Sequence, residues 1–144
     1  APSPMLLLGI GYLFDTVPPL PSFWLVLVNP RVHIPTGDVF RIHDSLYEAG
    51  PPPMEGIPSH WDFEDFHVFL LGKSNDLTKC AAELTDLIHL ALESLRAIGC
   101  KDADMSGSGS TCWGLFETEH SAKRAAEKVA RDHPEWWVRA TPVS

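Results

Sequence analysis

Three short apolar runs, at residues 23–28, 111–116 and 136–141, are set apart by segments whose apolar residues recur at helical spacing. Phe23-Trp24-Leu25-Val26-Leu27-Val28 is aromatic and β-branched, and Asn29-Pro30 stops it, the pattern of a buried strand. "TCWGLF" and "WWVRAT" read the same way, and a further strand fits near 103–105. Between the first two runs, Thr36 suits an N-cap, Asp38 a first helical turn and Gly50 a stop, with Val39, Ile42 and Leu46 on one face. Asn75-Asp76 then precede Leu84, Leu87, Ile88, Ala91, Leu92 and Leu95, which predict one long helix ending at Gly99. Residues 119–132 predict another, striped by Ala122, Ala125, Ala126 and Val129 and ended by Pro134. Strands separated by helices in this order predict an α+β fold: a ferredoxin-like sandwich, a mostly antiparallel sheet with helices on one face.

Two stretches fall outside that pattern. Residues 1–22 hold Gly9-Ile10-Gly11 and Val17-Pro18-Pro19-Leu20-Pro21, which read as an extended lead-in rather than a central strand, since proline donates no ladder hydrogen bond. Residues 50–72, with several prolines and "HWDFEDFHVF", read as an irregular excursion. The domain proper is therefore placed at 23–144. The chain opens on Ala1-Pro2-Ser3 without methionine, which predicts a truncated or processed start.

Composition narrows the function classes. A formal charge of −8 with no block of Lys or Arg argues against nucleic acid or an anionic membrane as partner. It leaves room for a small anion held by backbone N–H groups. Cys80, Cys100 and Cys112 are odd in number and widely spaced, so neither a zinc knuckle nor a disulfide framework is indicated, and a reducing cytoplasm is the simplest setting. The apolar run at 5–8 is too short to span a bilayer.

Residues 106–111, Ser-Gly-Ser-Gly-Ser-Thr, contribute almost nothing to a core. A flexible linker has no purpose between two apolar elements. A tight loop accounts for Gly107 and Gly109 through positive φ. A functional reading adds an anion-binding concavity of successive N–H groups with hydroxyls beside them. It is not a P-loop, because no Lys follows and the next element is a strand, nor does it fit GxGxxG.

"MSGSGSTCWGLF" resembles the third motif of the GHMP kinases, the superfamily of galacto-, homoserine, mevalonate and phosphomevalonate kinases. Further blocks agree in order with the branch that phosphorylates 4-diphosphocytidyl-2-C-methyl-D-erythritol: "GIG", "LVLVNPRVHIPTGDVF", "SNDLTKCA" and "HPEWWVRAT". Together they span most of residues 9–142. The resemblance implies the C-terminal domain of a two-domain kinase of non-mevalonate isoprenoid (terpenoid) biosynthesis. It implies ATP and Mg²⁺ as cofactors, bound mainly by an N-terminal domain whose nucleotide loop, base and lysine are absent from this sequence. The partners it implies are that domain and a cytidine diphosphate derivative acting as phosphoryl acceptor through its 2-hydroxyl. By itself the chain is expected to be inactive, and an apolar face left without its partner domain would favour a homodimer.

The resemblance carries Pro35, Thr36 and Phe40 to the substrate pocket, where an aromatic ring stacks on cytosine. Read from its neighbours Val39 and Ile42 alone, Phe40 is an ordinary core residue. Gly107, Ser108, Gly109, Ser110 and Thr111 match the substrate-facing loop, and His33 lies beside the same pocket. No catalytic or metal-binding residue is assigned to this half. Asn75 and Asp76 read as a helix cap and a first-turn acid. Arg31 stands where a small residue is usual, Ser110 where Pro or Ala is, and Tyr12 where Glu is. His60 and His67, with Asp62, Glu64 and Asp65 between them, fit no standard metal spacing and read as a solvated loop. Two alternatives stay open: a free-standing ferredoxin-like ligand-binding module, and a GHMP kinase part with another substrate such as homoserine or phosphomevalonate.

Overall fold

The structure, a computed structural model, describes residues 5–8, 13–16, 18–46 and 59–143, the first two stretches as backbone. In chain order the elements are β1 (Met5–Leu8), β2 (Leu13–Thr16), β3 (Phe23–Asn29), α1 (Thr36–Leu46), α2 (Phe63–Leu71), α3 (Leu77–Leu84), α4 (Asp86–Ala97), β4 (Asp102–Met105), β5 (Cys112–Phe116), α5 (Glu119–Asp132) and β6 (Trp137–Val143). The last four strands form one antiparallel sheet in the order β4-β5-β3-β6. The first and third strands of this βαββαβ unit are inside, as the ferredoxin-like expectation requires. The lead-in holds an antiparallel ribbon of β1 and β2 in a sheet of its own, while Gly9, Gly11 and Tyr12 lie outside the described residues.

Alternation along the central strands divides the side chains between two cores. On β3, Trp24, Val26 and Val28 face one way and Phe23 and Leu25 the other. On β5, Cys112 and Phe116 join the first set, Trp113 and Leu115 the second. The first and larger core is roofed by Val39 of α1, Cys80 and Ala81 of α3, Ile88, Leu92 and Leu95 of α4, and Ala122, Ala125 and Val129 of α5. This is the single helical layer that the sequence predicts. The second core is built by Trp61 with Phe63 and Phe66 of α2 against Phe23 and Leu115.

Helix α2 corrects the reading of 50–72 as wholly irregular. Asp62 caps it through a reciprocal box, accepting from the Asp65 N–H at 2.9 Å while the Asp65 carboxylate accepts from the Asp62 N–H at 3.4 Å. The predicted long helix after Asp76 is likewise two helices, broken at Thr85. That residue is extended at φ −157°, and its hydroxyl accepts from the Leu87 N–H at 3.3 Å. Thr36 is the first helical residue of α1 rather than its cap, and the carbonyl of Pro35 accepts from Asp38 and Val39. Gly50, the predicted stop, lies outside the described residues.

Candidate functional site

Residues 106–111 connect β4 and β5 as a hairpin loop. The Ser106 N–H donates to the Thr111 carbonyl at 2.8 Å, and the Gly109 N–H donates back to the Ser106 carbonyl at 3.2 Å. Gly107 and Gly109 have φ of +57° and +96°, the left-handed region that the alternation of Gly with Ser anticipates. A Cβ on Gly109 would meet Met105 Sδ at 2.8 Å and Ile34 Cδ1 at 3.3 Å, so this side of the loop lies hard against the core. The N–H groups of Gly107 and Ser108 take no part in the two bonds that close the loop.

Three segments distant in sequence hold the loop. At the C-terminal end of β3, Asn29 donates through Nδ2 to Thr111 Oγ1 at 3.1 Å, and its Oδ1 accepts from the Ser110 hydroxyl at 3.2 Å. At the start of α1, the hydroxyls of Thr36 and Ser108 share a hydrogen bond of 3.1 Å. Before α3, Asn75 donates through Nδ2 to the carbonyls of Met105 at 2.8 Å and Gly107 at 2.6 Å. The structure thus brings Pro35, Thr36, Gly107, Ser108, Gly109, Ser110 and Thr111 together. Phe40 lies one turn beyond Thr36 on the same face of α1. The residue is 46% exposed, so it is not the core residue its neighbours suggest, while Val39 beside it is fully buried. His33 is exposed on the turn before α1 and makes none of the bonds that hold the loop.

Sequence reading missed Asn29, and saw in Asn75 only a helix cap. The cap is there, since Asn75 Oδ1 accepts from the Leu77 N–H at 3.0 Å. The remaining bonds join positions 30 to 82 residues apart and leave no local signature. Asp76, read as a first-turn acid, stands one residue before α3 and makes no side-chain cap bond.

Burial pushes the Cys112 thiol up to about 12 and Cys100 to about 11, and raises Cys80 as well, so each is a neutral packing group rather than a thiolate nucleophile. Burial also lifts the Asp102 carboxyl above its ordinary range. His67 donates from Nε2 to the Lys101 carbonyl at 3.0 Å, tying α2 to the sheet, and Asp62 and Asp65 are occupied in the cap. Among the described residues no group of three or more His, Cys, Asp and Glu is placed to hold a metal ion, and no helix is long and apolar enough to cross a membrane.

Comparison with known proteins meets this geometry. Residues 64–135 match the family described as GHMP kinases C terminal. The chain belongs to that family. Over 142 residues this GHMP kinase C-terminal domain is 44% identical to the 4-diphosphocytidyl-2-C-methyl-D-erythritol kinase of Jannaschia sp. (strain CCS1), covering 97% of this chain and 49% of that protein. A crystal structure of 4-(cytidine 5'-diphospho)-2C-methyl-D-erythritol kinase superposes with a TM-score of 0.64 at 26% identity, over 92% of this chain and 47% of the other. Homoserine kinase from Cytophaga hutchinsonii shares the fold, with a TM-score of 0.53 at 12% identity over 91% of this chain and 44% of the other. The domain spans about half the length of the curated relatives it matches.

Proposed function

We propose that this domain is the acceptor-side wall of an ATP-dependent kinase that phosphorylates the 2-hydroxyl of 4-diphosphocytidyl-2-C-methyl-D-erythritol, a step of non-mevalonate isoprenoid biosynthesis. The observation that carries the reading is the Thr36–Ser108 hydroxyl bond. It joins the start of α1 to the glycine loop in one surface, with the exposed Phe40 ring a turn away. On such a surface the Phe40 ring offers a stacking face to cytosine. The N–H groups of Gly107 and Ser108, with the hydroxyls around them, offer donors to phosphate or hydroxyl oxygens. The 44% identity to a kinase of that name supports the substrate class, since the fold is shared with a homoserine kinase and does not choose between acceptors.

ATP supplies the transferred phosphoryl group when bound. The donor set here does not fit a triphosphate–Mg²⁺ clamp, because residues 106–111 contain neither Lys, Arg nor a carboxylate. Phosphoryl transfer needs that clamp as well as a positioned hydroxyl. An N-terminal kinase domain is the partner that would provide it. This domain's part is to orient the acceptor and screen it from water.

Titrating CDP into the ¹⁵N-labelled chain tests the reading. Shifts are expected at Phe40 and at amides 107–111, weak in affinity and absent in Phe40→Ala. A CDP response elsewhere, or none, would overturn it. With ATP, Mg²⁺ and the diphosphocytidyl substrate the 144-residue chain is expected to give no turnover, and clear turnover would overturn the division of labour.

A further inference from the structure

We infer that Asn75 is a positioning residue for this site: its side-chain amide clasps the glycine loop from behind and holds it in the conformation that faces a ligand. The inference rests on the reading of the loop given above.

Asn75 uses both donors of its side-chain amide and one lone pair of its oxygen. Its two Nδ2 protons go to the carbonyls of Met105 and Gly107, at 2.8 and 2.6 Å, one on the last residue of β4 and the other inside the loop. Oδ1 takes the Leu77 N–H at 3.0 Å. The backbone N–H of Asn75 donates to Asp104 Oδ2 at 2.8 Å, and Asp104 Oδ1 accepts from the Thr78 hydroxyl at 2.5 Å and the Met105 N–H at 2.8 Å. The start of α3, the end of β4 and the loop are thereby stapled at one point. Asn29 and Thr36 hold the loop's other side. Between these grips the loop keeps its two glycine φ angles, with the Gly107 and Ser108 N–H groups outside the bonds that close it.

A cap and a clasp make different chemical demands. Capping α3 needs only an acceptor, which aspartate supplies as well as asparagine does. Holding two carbonyls needs two donors, which aspartate lacks. Asn75→Asp therefore preserves size and cap but sets a carboxylate against two carbonyl oxygens. A loop that spends only part of its time in the ligand-ready form binds more weakly in inverse proportion to that fraction, so a drop to one tenth weakens binding about tenfold.

The experiment compares the 144-residue chain with Asn75→Asp and Asn75→Ala, measuring amide hydrogen exchange and the initial slope of CDP-induced shifts. In Asn75→Asp, protection in α4 and α5 should be unchanged, while the Ser106 and Gly109 amides exchange about tenfold faster and the CDP slope falls about tenfold. Asn75→Ala should move the same way. Unchanged loop exchange and CDP response in Asn75→Asp would reduce Asn75 to a cap and overturn the inference. If the parent chain shows no CDP response, the substrate reading fails, and the exchange measurement alone decides the clasp. Should Asn75→Asp not fold, Asn75→Ser keeps the cap oxygen on a side chain too short to reach Gly107 and serves the same comparison.

Discussion

At Arg31 the backbone takes a φ of +57° as the chain leaves β3 and turns toward α1. Its N–H donates to Asn29 Oδ1 at 2.7 Å, so the same asparagine that grips the loop also shapes this turn. This conformation favours glycine: a Cβ in the left-handed region costs roughly 1–2 kcal/mol that glycine avoids. Arg31→Gly is expected to stabilise the domain by up to ~1 kcal/mol after the extra freedom of the unfolded chain is subtracted. The check is a higher urea midpoint at unchanged slope. Gly107 and Gly109 both have positive φ but differ in surroundings. Nothing lies within 4 Å of a Cβ on Gly107, whereas one on Gly109 meets Met105 and Ile34. Gly107→Ala should cost ~1 kcal/mol and Gly109→Ala ~2–3 kcal/mol in chemical denaturation. Equal losses would mean that contact with the core does not hold the loop. The two glycines were legible from the Ser/Gly alternation; Met105, Ile34, Asn29 and Asn75 were not, since their contacts with the loop depend on how the chain folds back.

Among the elements, α5 and the three main strands fall within a residue or two of where periodicity places them, because burial on one side imposes its own period on sequence. The break at Thr85 escaped because helical spacing of apolar residues runs on across a single extended residue. Its visible consequence is Leu84, expected on the buried stripe but 43% exposed. Thr85 caps α4, so Thr85→Ala is expected to cost about 1 kcal/mol, read from the urea midpoint; no change would mean that packing alone starts the helix. Helix α2 had a usable signal in Asp62 and Asp65, spaced as a reciprocal cap before an apolar run. The prolines and acids around them hid it.

On the scale of the molecule, one sheet serves two cores of unequal size, and Trp61 anchors the smaller. It is 3% exposed, its Nε1–H donates to the Pro19 carbonyl at 3.1 Å, and its ring packs edge-on against Phe66 at 5.4 Å between centroids. Trp61→Ala should cost ~3–5 kcal/mol. Hydrogen exchange is expected to quicken in α2 and at Leu20 and Ser22 while α4 and α5 keep their protection. Uniform loss across all helices would show that the two cores melt as one. The Gly109–Met105 contact and the Trp61–Pro19 bond share a lesson about legibility. The three main strands, α5, the tight glycine loop and the family were determined by sequence alone, since backbone stereochemistry and one-sided burial act over a few residues and write themselves locally. Which side chains surround the loop, that Phe40 faces outward, and that α2 closes a second core were decided only by tertiary structure. Those outcomes depend on strand register and helix placement, which bring together residues that carry no mark of one another along the chain.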